Sequence, residues 1–242
     1  MNDLAHGAVC GLASCDTETS PSRVGDAKTS TSLMVEIVSD AICPWCFVAK
    51  RNFEAAVAKL PEGVKMSVRW LPFELNPDMP VEGNDRRAYR SAKFGSWAHS
   101  LELDAQVSAA AARAGISMRH DLMQRTPNTF KAHRLIWLAG QEGVQDAVVE
   151  ALFGAYFVEG RDVGDVNVLV DIAAGADIAR DRAQAFFAGK QGVAEVSGSV
   201  LAARRRGISG VPTFMINGTT AFSGAQRPEL MLTQLLGAVT PS

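Results

Sequence analysis

Residues 33–46 read LMVEIVSDAICPWC, and the order of events in this stretch decides the fold. Its first eight residues, apolar and rich in β-branched side chains, predict a buried strand. Cys43-Pro44-Trp45-Cys46 follows at once. Beyond it Phe47, Phe53, Val57 and Leu60 recur near helical spacing, so a helix is expected from Pro44 to about Leu60. Pro44 suits its first turn, where a missing N–H costs nothing, and Pro61-Glu62-Gly63 ends it. Two cysteines separated by two residues can close into a small disulfide ring and reopen. At a helix N-terminus the first sulfur lies among unpaired N–H groups and the positive end of the macrodipole, which stabilises thiolate over thiol. The stretch points to redox chemistry centred on Cys43.

Working outward, residues 66–75 (MSVRWLPFEL) read as a second strand, with Pro72 at its end or on a sheet edge. Strand, helix and strand make a βαβ unit. Residues 85–206 are helical in character, rich in Ala, Leu, Val and Arg. Within them Thr126-Pro127 is expected to cap and open a helix running to residue 139. Residues 146–158 and 166–174 continue as helices, the latter capped by Asp165. After Gly207 strands return at 213–216 and 220–223. Asn217-Gly218 between them predicts a type I′ hairpin, which needs positive φ at both positions. A helix over 227–236 closes the chain. The expected organisation is a tail over 1–32, an α/β domain made of 33–80 and 207–238, and a helical insertion with connecting helix over 81–206.

Gly210-Val211-Pro212-Thr213 precedes the hairpin. Proline at the start of a strand removes a ladder donor, which is odd if pairing is its only purpose. It makes sense if the Val211–Pro212 bond is cis, leaving the backbone of Val211 open to an extended substrate. With the Cys pair and a ββα ending in the same chain, a cis bond is expected.

These elements together resemble the DsbA family of thioredoxin-fold proteins, and within it the FrnE-like branch related to 2-hydroxychromene-2-carboxylate isomerases. The resemblance rests on Cys43-Pro44-Trp45-Cys46, on residues 70–77 (WLPFELNP), on Asn128-Thr129-Phe130 and Ala132-His133-Arg134-Leu135, on Ala155-Tyr156-Phe157 and on residues 210–214. It covers about residues 34–237. It implies a thioredoxin fold with a helical domain inserted between its βαβ and ββα halves, and dithiol–disulfide exchange with protein or small-molecule thiols and disulfides. Cys43 would form the mixed disulfide and Cys46 would resolve it. Pro44, Trp45, Val211 and Pro212 would bind substrate, and Pro44 and Trp45 would also bias the thiol–disulfide balance, with Trp45 equally a lip for substrate. No cofactor is implied, although glutathione is a candidate redox partner. The rival implication is a glutathione-dependent isomerase or transferase of the kappa type. Such relatives carry Ser where Cys43 stands, so two cysteines favour exchange.

The remaining candidates have plainer readings. A structural zinc would need two ligands beyond Cys43 and Cys46, and only Cys10 and Cys15 are available, so no metal is expected. His133, beside Phe130, Leu135 and Trp137, is read as a packing residue; Arg204-Arg205-Arg206 as cations completing a helix C-terminus; Asn76 and Pro77 as shaping a loop. Cys10 and Cys15 are taken as incidental residues of an overlong start.

With 47% hydrophobic residues, 21% charged and a net charge of −2, the composition is that of an ordinary soluble protein and gives no reason to expect nucleic acid or membrane as a partner. A monomer or homodimer is expected. Leu12-Ala13-Ser14-Cys15 looks like a lipoprotein cleavage box, but no basic segment or unbroken apolar core precedes it. A cytoplasmic location is therefore expected.

Overall fold

The computed structural model describes residues 32–239. Strand β1 (Ser32–Ser39) lies inside a four-stranded sheet of order β2-β1-β5-β6, where β2 is Lys65–Pro72, β5 Thr213–Ile216 and β6 Thr219–Ser223. It runs parallel to β2, with Ile37 opposite Trp70, and antiparallel to β5, with Ile37 opposite Phe214. A strand covered on both faces reads as an unbroken apolar run, which is why the opening residues lack alternation. Glu36 is the exception. Buried at mid-strand, it pairs with Arg69 directly across on β2.

Helix α1 (Pro44–Val57) crosses from β1 to β2 and has Pro44 in its first turn. Helix α9 (Pro228–Val239) follows β6 and packs against α1. This is the βαβ–ββα arrangement of the expected thioredoxin fold. Seven helices lie between β2 and β5: α2 (Arg86–Phe94), α3 (Trp97–Arg113), α4 (Phe130–Gln141), α5 (Gln145–Phe157), α6 (Val166–Gly175), α7 (Arg180–Ala188) and α8 (Val193–Arg205). The larger hydrophobic core runs through both parts, and a smaller one gathers Val38, Phe73, Ala203, Ile208 and Met215. Phe47 of α1 stacks on Phe153 and Phe157 of α5 at 5.2 and 6.1 Å, and Trp70 of β2 meets Phe153 edge-on at 6.3 Å. On the other face of α1, Phe53 packs against Phe214, which stacks on Phe222. Lys50 of α1, buried, is held by Glu54 and by Asp146 and Glu150 of α5, each 3.1 Å away. Burial would lower its pKa; these carboxylates outweigh that and raise it.

Several expectations hold in detail. Asp165 caps α6, its Oδ1 accepting from Asn167 N at 2.7 Å. Asn217 and Gly218 both take positive φ, 50° and 82°, as a type I′ turn requires. Others need correction. Ser32 opens β1 instead of ending the tail; the rest of the expected tail, with Cys10 and Cys15, lies outside the described residues. Helix α1 stops at Val57, because Lys59 N and Leu60 N bond three residues back, to Ala56 and Val57, and tighten the last turn ahead of Pro61. Strand β2 ends at Pro72, short of Leu75. Phe73 N bonds Ser39 O at 3.0 Å and Leu75 N bonds the Asp40 carboxylate instead.

Thr126 does not cap a helix. It belongs to β4 (Arg125–Thr126), which pairs with β3 (Asn84–Asp85), and its backbone is committed to Asn84. Gly83 makes the approach possible: its φ is +70°, and a Cβ there would meet Thr126 O at 2.7 Å. Helix α4 begins at Phe130, whose N–H is taken by Asn128 Oδ1 at 3.0 Å.

Candidate active site

Asp40 ends the apolar run of β1, and the chain turns into α1 through Ala41 and Ile42. Cys43 N donates to Asp40 O at 3.0 Å, which closes this turn and sets Cys43 as the N-cap of α1. Its sulfur therefore sits at the open end of the helix, where no acidic residue of the first turn competes with it. Cys43 is 4% exposed and Cys46 fully buried; both are free thiols. Burial, followed by the hydrogen bond and charge of Cys43, holds the Cys46 thiol well above the usual thiol range, against smaller opposing contacts from Ser39 and the Asp40 backbone. Trp45 is 40% exposed beside them.

The second expected segment arrives from the other end of the chain. The Val211–Pro212 bond is cis, and Val211 O accepts a hydrogen bond from the Cys43 thiol at 3.6 Å. The loop is pinned on both sides. Thr213 Oγ1 donates to Gly210 O at 2.9 Å and Pro212 O accepts from Gly224 N at 2.8 Å. Cys43, Pro44, Trp45 and Val211 line a common cavity of about 370 Å³. Cys46 and Pro212 are buried and do not line it.

His133 lies beneath the turn, 1% exposed, on α4. Its Nε2 is 2.9 Å from Phe73 O and 3.4 Å from Asp40 Oδ1. A carbonyl only accepts, so Nε2 carries the proton, assigned here from its partners. Asp40 is fully buried and accepts from Leu75 N at 2.8 Å. His133 thus ties the turn that carries Cys43 to the segment leaving β2, which is a holding role. Nearby Glu74 has its pKa raised by burial, with Asp40 adding to this and His133 and Arg204 opposing. Arg204 and Arg205 lie in the last turn of α8. None of Arg204, Arg205 and Arg206 lines the cavity.

The opposite wall was not identified from the sequence. It comes from α2 and α3 and includes Tyr89, Arg90, Lys93, Phe94, Asp104 and Val107. Asp104 anchors it: Arg86 reaches it at 2.6 Å and Arg90 at 2.8 Å, and Arg90 Nε donates to Ser100 Oγ. His120 stands 3.8 Å from Asp104, its pKa lowered mainly by burial against the pull of that carboxylate. Tyr156 closes the floor, its hydroxyl donating to Arg125 O at 3.0 Å; burial drives its pKa far above that of a free phenol. A signal for this wall was available. Arg86, Arg90 and Lys93 recur at four and then three residues, one cationic stripe along a short helix. Asn76, read as shaping a loop, also lines the cavity.

Among the described residues no group of three or more His, Cys, Asp or Glu is placed to hold a metal, and no helix is long and apolar enough to cross a membrane.

Residues 34–236 match the family model of the DSBA-like thioredoxin domain. Among solved structures the chain is similar to a probable DsbA oxidoreductase from Streptomyces coelicolor, 33% identical, covering 87% of this chain and 92% of that one with a TM-score of 0.77. It also shares its fold with a 2-hydroxychromene-2-carboxylate isomerase (17% identical, 84% and 94% covered, TM-score 0.64). The same holds for the cytosolic disulfide reductase DsbM from Pseudomonas aeruginosa, solved with GSH (17% identical, 84% and 98% covered, TM-score 0.58). Among curated proteins it is 28% identical over 139 residues to the uncharacterized YwbO of Bacillus subtilis, a match over 57% of this chain and 64% of that protein's length, hence less than two thirds of it. The family match spans both halves of the sheet and every helix between them, and with the Cys43–Val211 geometry it fixes the assignment: this chain belongs to the DSBA-like thioredoxin domain family.

Proposed function

We propose that the protein is a thiol–disulfide oxidoreductase in which Cys43 attacks and Cys46 resolves. The observation that carries this reading is the meeting of Cys43 Sγ, at the N-cap of α1, with the carbonyl that precedes cis-Pro212. The Cys43 thiolate, at the N-terminus of α1, attacks one sulfur of a substrate disulfide. The substrate S–S bond breaks, one thiolate leaves, and a mixed disulfide forms at Cys43. Cys46 then gives up its proton, attacks Cys43 Sγ and releases the second thiol. Two electrons pass from the dithiol to the substrate, and an external dithiol restores the enzyme. In the oxidised protein the same steps run backwards.

Trp45 and the Val211 backbone flank the sulfur and are assigned to substrate binding, Trp45 through its exposed ring. Pro44 and Pro212 are assigned to shaping the two loops, and Pro44 with Trp45 to setting the thiol–disulfide balance. Cys46 directly behind Cys43 supports exchange over a glutathione-dependent isomerisation, which has no use for a resolving thiol. We place the reaction in the cytoplasm, as the sequence suggests; there the glutathione poise favours reduction or isomerisation, with glutathione a candidate redox partner. The test is reduction of insulin and of a small disulfide, recycled by dithiothreitol. The wild type should accelerate at least one of them, and Cys43→Ser should lose that acceleration. A wild type inert on both refutes the reading.

A further inference from the structure

Three charged side chains line the cavity in front of Cys43: Arg90, Lys93 and Asp104. Two of them answer each other. Arg90 Nη2 lies 2.8 Å from Asp104 Oδ1, and Asp104 takes Arg86 as well. Lys93 is different. Among the described residues no carboxylate comes within 4.0 Å of its ammonium, which donates instead to a neutral oxygen, Asn76 Oδ1, at 2.5 Å. Burial lowers its pKa and Arg90 adds to this, while the charge of the buried Asp40 opposes from further away. Lys93 is exposed and its ammonium lies 5.6 and 5.9 Å from the centroids of the Tyr89 and Phe94 rings, so the groups around it are neutral and an anion is free to approach.

Asn76 extends the same feature. Its Oδ1 also accepts from Tyr89 OH at 2.5 Å, so two donors meet on one oxygen and fix which way the amide points. The Nδ2 group is then turned away from both and meets no acceptor among the described residues. An ammonium without a carboxylate partner and an amide nitrogen without an acceptor thus stand on residues that line the cavity holding Cys43. That combination matches a carboxylate. The cavity, about 370 Å³, falls in the range of small-molecule sites, and α2 and α3 close over a sulfur that is 4% exposed.

We propose that Lys93 and Asn76 form a carboxylate-binding subsite, so that the substrate is a low-molecular-weight disulfide whose non-reacting part carries a carboxylate. This rests on the exchange chemistry proposed above, and adds to it the class of disulfide. The carboxylate holds the substrate while Cys43 attacks the near sulfur; the distant sulfur leaves as thiolate and takes up a proton. The contact is made equally before and during attack, so it acts on KM and not on kcat.

The test compares two small disulfides of similar length, 3,3′-dithiodipropionate, which carries two carboxylates, and the neutral bis(2-hydroxyethyl) disulfide. Both are reduced by the full-length enzyme with dithiothreitol as the recycling dithiol. Wild type should prefer the acidic disulfide in kcat/KM by about tenfold, the scale of a charge-assisted contact. Lys93→Gln should remove most of that preference by raising KM for the acidic disulfide about tenfold and clearly more than for the neutral one, with a denaturant midpoint as the control of folding. Asn76→Ala should do the same to a smaller degree, and Lys93→Arg should retain most of the preference. Equal wild-type rates on both disulfides, or equal losses on both in Lys93→Gln, overturn the subsite. Turnover of insulin without turnover of either small disulfide overturns the substrate class while leaving exchange standing. A wild type inert on all three overturns exchange itself.

Discussion

The two walls of the Cys43 cavity are built on opposite principles. One is made of sharp local signals: a Cys pair at a strand–helix junction and a Val-Pro step before a hairpin, each fixed by the backbone around it. The other is made of side chains from α2 and α3, held by an Arg86–Asp104–Arg90 cluster whose only trace in the sequence is the cationic spacing along α2. The first wall carries the proposed chemistry and the second the proposed carboxylate subsite. The backbone-fixed wall comes from short stretches of the sheet-and-helix scaffold, and the other from helices inserted between β2 and β5.

If the two parts are as closely joined as the shared core indicates, breaking the joint should be felt throughout. Phe153→Ala removes the ring that stacks on Phe47 and meets Trp70. We expect a loss of about 3–5 kcal/mol, the usual cost of such a cavity, in one cooperative denaturant transition. Two separate transitions, with the scaffold keeping its stability, would show that the parts fold independently.

A smaller effect separates the scaffold by its chemistry. Burial raises the Cys46 pKa in the fold, so its stabilising contribution is complete below the pKa of an unfolded thiol and is lost as pH rises toward the folded value. Reduced wild type should therefore lose stability as pH climbs above about 8.5, the range of a free thiol. Cys46→Ala should decline less steeply over the same range, as read from denaturant midpoints. Parallel curves for the two proteins would contradict the assignment of Cys46 as a buried, protonated thiol. Tyr156 contributes in the same direction in both proteins and cancels in the comparison.

The smallest effect lies in the helical part, away from the cavity. Asp165→Ala deletes the cap of α6 and should cost about 1 kcal/mol with no change in exchange rate. A matching loss of activity would mean that α6 is coupled to the site.

The same contrast explains what could be read in advance. The strand before Cys43, the N-cap position of that cysteine, the Val211 loop and the Asn217-Gly218 turn are set by neighbours in sequence, where propensity and turn chemistry act. Thr126 misled because a Thr-Pro pair has the local character of a helix start, whereas its backbone is claimed by Asn84, distant in the chain and reachable only past Gly83. Lys93 and Asn76 stayed hidden for a related reason. A surface-style lysine on a short helix and an asparagine in a Pro-rich loop become a pair only when the chain brings α2 against the exit of β2. His133 could be placed as a packing residue from its apolar neighbours, but its bond to Phe73 O and its approach to Asp40 are products of the tertiary fold.

The central claim is that Cys43 attacks and Cys46 resolves, and trapping the intermediate tests it most directly. Cys46→Ser and Cys43→Ser are each mixed with a small disulfide and quenched with acid, and the adduct is located by peptide mass mapping. The account predicts a mixed disulfide on Cys43 that accumulates in Cys46→Ser, and none on Cys46 in Cys43→Ser. Adduct formation on Cys46 at a comparable rate, or none on Cys43, would contradict it.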